Sequence, residues 1–205
     1  MQHDFRWLQE EEEEDQEQEQ KKGSEQESMF MARFLKTRTI LLSGEINKNL
    51  AERVIRQLIL LEEENSEPIK FFIDSPGGDA DAGYAIYDMA RFVKPDVHMI
   101  GMGLVASAAA IVLLAAPNER RLALPNSNYL IHQPLSAIRG VATEIEIHAR
   151  QLERLRAKIN RLIAEETGQA LEKVEKDTDR DYWMSAPEAE EYGLVSRTIR
   201  SVNDI

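Results

Sequence analysis

IKFFIDSPGGDADAGYAIYDMARFVKPDVHMIGMGLVASAAAIVLLAA, residues 69–116, is the stretch whose reading decides the fold. Residues 69–74 are an apolar run of strand length, SPGG at 75–78 is a turn, and 82–92 carries Ile86, Met89, Ala90 and Val93 at helical spacing. The same order returns at once. Residues 97–102 read as a strand, Gly103 as a turn, and 106–116 as a buried helix stopped by Pro117. Working outward toward the amino terminus, 39–43 is a short apolar run closed by Gly44. Residues 49–64 follow it with apolar side chains at 50, 54, 55, 58, 59 and 61. Three strand–helix units in a row favour an α/β fold, a mainly parallel sheet covered by helices, because parallel neighbours need such crossovers.

Toward the carboxyl terminus, 121–124 and 128–132 read as two short strands around a Pro125-Asn126 turn, and 143–167 as one long helix ended by Gly168. Ile145, His148, Leu152, Leu155, Ile159 and Leu162 make a narrow seam on it. A seam of that width suits packing on another subunit's helix or on the chain's own domain, and the spacing leaves both open.

A chain of 205 residues with 42% apolar residues has room for one core and a tail. The absence of cysteine excludes disulfides, thiolate zinc sites and cysteine nucleophiles. Residues 1–28 hold eleven acids against three bases, so −8 of the formal −12 lies there. Such a Glu/Gln-rich run has little to bury and reads as a solvated, disordered tail. The expected division is therefore an acidic tail over 1–30 and a single domain over 31–205. The acidic balance argues against nucleic acid as a partner. Residues 99–116 are 18 uncharged residues, the minimum for a membrane span, but they read better as strand, turn and helix. No apolar secretory leader is visible in the first 30 residues, so a cytoplasmic location is expected.

Acyl-bond hydrolysis needs a nucleophile, a base, a group that orients the base, and N–H donors for the oxyanion. Ser107 stands where the third strand turns into a helix, and His132 at the end of another strand, before Gln133 and Pro134. The two glycines of SPGG can adopt positive φ and bring bare N–H groups close to a ligand. None of the four histidines, His3, His98, His132 and His148, pairs at zinc spacing, so no metal is expected. His98 and His148 read as surface or packing residues. Asp177–Asp181, DTDRD, is a dense acidic segment that by itself reads as a charged loop.

From about residue 32 to 199 the chain resembles the proteolytic subunit of the Clp protease, the ClpP family. The carriers are IDSPGG (73–78), AIYD (85–88), KPDV (94–97), AS (106–107), LPNS (124–127), IHQPL (131–135), EIHAR (146–150), DTDRD (177–181) and MSAPEAEEYGLV (184–195). The resemblance implies a Ser-His-Asp serine endopeptidase on a crotonase-like α/β fold. It implies Ser107 as nucleophile, His132 as base and Asp181 as its orienter, with Gly78 and Ala108 giving the oxyanion N–H groups. It further implies two stacked heptameric rings, homomeric or mixed, interlocked by the long helix as a handle. Asp179 and Arg180 would make the ring–ring contact. The implied partners are a Clp-type AAA+ ATPase such as ClpX, ClpA or ClpC, and unfolded polypeptides as substrates. No cofactor is implied, ATP belonging to the ATPase.

Three features depart from the family pattern. The nucleophile segment is GLVASAAA, where Val105 and the lack of a Met after Ser107 would alter the pocket walls. The loop after SPGG is DADAG, which puts Asp79 and Asp81 near a substrate path. Residues 1–28 do not resemble the usual axial-gate segment. An assembly or regulatory paralogue with weak catalysis, and a crotonase-type acyl-CoA enzyme, are the competing readings.

Overall fold

The computed structural model describes residues 29–205. The expected acidic tail thus lies outside the described residues, save for its last two. Residues 29–35 are helical, with the Phe30 and Phe34 rings stacked 6.4 Å apart. Residues 39–205 form a separate compact unit.

That unit opens with β1 (Thr39–Ser43), α1 (Lys48–Glu64), β2 (Ile69–Ser75), α2 (Ala80–Phe92), β3 (Val97–Ala106) and α3 (Ala108–Leu113). Side chains begin the first two helices: Asn47 accepts from the Leu50 N–H at 3.0 Å and Asp79 from the Ala82 N–H at 2.8 Å. The expected start of α2 therefore moves from 82 to 80. β1, β2 and β3 pair in parallel, Ile40 opposite Phe71 and Phe71 opposite Met99, with Ile40, Phe71 and Met99 fully buried. β2 buries alternate residues, Ile69, Phe71, Ile73 and Ser75, while Lys70, Phe72 and Asp74 between them stay partly exposed.

Gly103 does not end β3. The register steps from Ile73–Gly101 to Ser75–Val105, so β3 absorbs extra residues in a bulge and continues to Ala106. Gly103 takes φ +56 there, and a Cβ would meet Asp74 Oδ1 at 2.5 Å. The same Oδ1 accepts from the Leu104 N–H at 3.0 Å, tying the bulge to β2. The expected helix over 106–116 shortens to α3, although Ala108–Ala116 are all buried. The 18 uncharged residues thus fold as strand end and core helix. Among the described residues no helix is long and apolar enough to cross a membrane.

The bulge divides β3 between two partners. Met99–Gly101 pair with β4 (Arg121–Ala123), whereas Leu104–Ala106 pair with β5 (Asn128–Ile131), all in parallel. β4 and β5 are therefore consecutive neighbours of β3 and not a hairpin. The turn between them is fastened by Ser127, whose N–H and hydroxyl both donate to the Leu124 carbonyl.

α4 (Ala142–Thr167), α5 (Leu171–Asp177), β6 (Tyr182–Ser185), α6 (Ala186–Tyr192) and β7 (Arg197–Thr198) complete the chain. β6 runs antiparallel to β5 and β7 parallel to β4. α4 ends at Gly168 in the left-handed region, φ +74, as its sequence predicts. Its two halves differ. Residues 142–151 are exposed throughout, while Ile159, Asn160 and Ile163 are buried. The expected seam therefore docks only at its carboxyl-terminal end, with Ile163 seated deeper than Leu162, and Ile145 and Ile147 stand out in solvent.

Candidate active site

Ser107 is the single residue between β3 and α3, with φ +57 and ψ −120. It is one of two non-glycine residues with positive φ among those described, a conformation held against an intrinsic cost. Two constraints impose it. Its N–H donates to the Leu130 carbonyl at 2.9 Å, completing the β5 ladder, and the next residue already belongs to a fully buried helix.

The SPGG turn packs directly on this junction. A Cβ on Gly77, which has φ +87, would lie 2.5 Å from Ala106 O, 2.7 Å from Ser107 Cβ and 2.8 Å from Ala108 N. Only a glycine allows that approach. Around Gly78, φ +144, Ile46 makes a parallel bridge: its N–H donates to Gly77 O at 2.7 Å and its carbonyl accepts from the Asp79 N–H at 2.8 Å. Those bonds use the groups flanking Gly78 and leave its own N–H outside the bridge. Ala108 opens α3, where N–H groups have no acceptor within the helix.

His132 follows β5, and its Nδ1 lies 2.9 Å from Asp181 Oδ1. A carboxylate only accepts, so Nδ1 carries the proton and Nε2 is left as the acceptor. The His132 side chain is 16% exposed and Asp181 61%. Asp181 is held by what surrounds DTDRD. The Gln133 N–H donates to Thr178 O at 2.6 Å and its Nε2 to Asp179 O at 2.5 Å. The buried Thr178 hydroxyl lies 2.8 Å from Asn160 Oδ1 and 2.9 Å from Val174 O, anchoring the segment to α4 and α5.

Ser107, Ala108, Gly78 and His132 line one cavity of about 460 Å³ whose far wall includes Leu152, Leu155, Ile159 and Ile163 of α4. Asp181 joins through its contact with His132, and Ser107 and His132 both line the cavity. Of the two changes at the nucleophile segment, Ala108 does face the cavity, whereas Val105 is fully buried and does not line it. Asp179 pairs within the chain, to Arg156 at 3.2 Å, and Arg180 is exposed. His148 is exposed on α4, and burial depresses the pKa of His98, half-buried on β3. Among the described residues no group of His, Cys, Asp and Glu could hold a metal ion. Gln133, Thr178 and Asn160 are the residues that sequence reasoning missed; the signal was a polar Asn160 between Ile159 and Ile163.

The chain is similar to known proteins over most of its length. Residues 21–202 match the model of the Clp protease family. The chain is 61% identical over 183 residues to the ATP-dependent Clp protease proteolytic subunit 2 of Treponema denticola, covering 89% of this chain and 92% of that protein. It is 51% identical over 174 residues to the proteolytic subunit 3 of Rhizobium etli, covering 85% and 90%. A solved ClpP1 mutant from Listeria monocytogenes superposes with a TM-score of 0.80 at 48% identity, over 85% of this chain and 98% of that one. Similarity of this extent, over a mainly parallel sheet that brings Ser107, Ala108, His132 and Gly78 to one cavity, places the chain in the Clp protease family as a proteolytic subunit.

Proposed function

We propose that the chain is a serine endopeptidase acting through Ser107, His132 and Asp181. The observation that carries this reading is the 2.9 Å contact of His132 Nδ1 with Asp181 Oδ1, made by a histidine that lines the same cavity as a strained Ser107. His132 Nε2 takes the proton as Ser107 Oγ adds to the peptide carbonyl. Asp181 keeps the imidazole in the required tautomer and stabilises the imidazolium, and the same proton then goes to the leaving amine. The N–H groups of Gly78 and Ala108 receive the oxyanion. Water then attacks the acyl-enzyme, with His132 again acting as base.

The particle is two stacked heptameric rings, joined by the projecting half of α4 and by contacts of Asp179 and Arg180. A Clp-type AAA+ ATPase feeds it unfolded polypeptide, and ATP is consumed by that partner, so the subunit itself needs no cofactor. The support is the exposed row of α4 with Ile145 and Ile147 in solvent, together with the family to which the chain belongs. The test is hydrolysis of a fluorogenic peptide by the purified chain and by Ser107→Ala and His132→Ala, with particle mass read by light scattering. Hydrolysis lost in both variants at unchanged mass is expected. Undiminished turnover in Ser107→Ala would remove the assignment, and assembly without hydrolysis in any form would instead favour an assembly subunit.

A further inference from the structure

The cavity shared by Ser107 and His132 is chemically lopsided. Ile111, Ile131, Leu152, Leu155, Ile159 and Ile163 give it an aliphatic wall, whereas the residues after the glycine turn bring in Asp79 and Asp81. Among the described residues no lysine or arginine lines it. The two carboxylates are not equivalent. Asp79 is committed to capping α2 through the Ala82 N–H at 2.8 Å. Asp81 sits exposed in the first turn of α2, with no cation paired to it among the described residues. An uncompensated acid at the edge of an apolar cleft raises a negative potential where a bound chain must pass.

We propose that Asp81 is a specificity residue of this site, selecting polypeptide segments in which a Lys or Arg adjoins the apolar residue seated on the aliphatic wall. This rests on the reading of Ser107 and His132 as peptide-hydrolysing groups. An apolar side chain leaves water for the Ile/Leu wall, and a neighbouring cation meets a carboxylate that has no competing partner in the cavity. A glutamate in its place meets like charge. Because Asp81 is exposed, the discrimination is modest, about three- to fivefold between basic and acidic forms, as for a solvent-facing ion pair.

Three fluorogenic peptides, identical except for Lys, Gln or Glu beside the apolar residue, test it on the full assembled chain. kcat/KM is expected to fall in that order, and the Lys-to-Glu ratio to drop toward one in Asp81→Asn, to persist in Asp81→Glu, and to shrink in 0.5 M salt. Asp88→Asn, on the same helix but outside this cavity, should keep the ratio. The ratio is taken within each protein, so altered total activity cancels. A wild-type ratio of one, or a ratio that survives in Asp81→Asn because it arises elsewhere, such as in the acidic residues 1–28, overturns the proposal. Failure of the wild type to hydrolyse even the Gln peptide overturns the peptidase reading and this proposal with it.

Discussion

At Ser107 the backbone is held at φ +57, which L residues other than glycine adopt at a cost of about 1–3 kcal/mol. The surrounding sheet and α3 impose that conformation, so the hydroxyl is not needed for folding. Ser107→Ala should therefore keep the thermal midpoint of the wild type while hydrolysis falls by several orders of magnitude, since triad members act as a unit. Gly77 is the opposite case. Its Cβ position is already crowded by backbone atoms of Ala106 and Ala108, so Gly77→Ala must displace the turn at Ser107. It should cost about 1–3 kcal/mol in denaturant titration and lower hydrolysis at least tenfold. Unchanged stability would show that the turn is looser than this packing implies.

Between elements, the reach of Asp181 toward His132 depends on a loop pinned from below. Thr178 is buried, and its hydroxyl bridges Asn160 on α4 and the end of α5. Thr178→Val keeps the shape and leaves Asn160 Oδ1 buried without this partner, so a loss of about 1–3 kcal/mol is expected, with a lower kcat as the loop loosens. Arg180→Ala, beside Asp181, should lower particle mass and hydrolysis together; an intact double ring with full activity would contradict that coupling. The sequence made the three strand–helix units legible because period and turn residues agree there, and Ser107 and His132 were legible as residues at strand ends. The bulge at Gly103 was not, because a lone glycine in an apolar run marks a turn or a bulge equally. The parallel pairing of β4 and β5 was also hidden: their neighbour is a single long strand that changes partners, which no local pattern records. Asp181 could be placed only by resemblance, since DTDRD alone reads as a charged loop and its anchoring runs through Gln133 and Asn160, far apart in the chain.

For the whole molecule, burial pushes Tyr84 and Tyr129 up to about 12 from the usual 10. The unfolded chain releases these protons near pH 10 while the folded chain holds them, so their contribution is complete below pH 10 and is lost as pH rises toward 12. Stability should therefore fall over that window in circular-dichroism melts. Tyr129→Phe should flatten the fall, although it removes the 3.0 Å hydrogen bond between the Tyr129 and Ser127 hydroxyls and starts from a lower value at pH 7. In the mechanism we propose for the cavity, one serine is activated by one histidine. The most direct measurement of that claim is intact and peptide-mapped mass after reaction with a fluorophosphonate. The wild type should carry one adduct per chain, located on Ser107, with none on Ser107→Ala and almost none on His132→Ala. An adduct on another residue, or full labelling of Ser107 without His132, would contradict it.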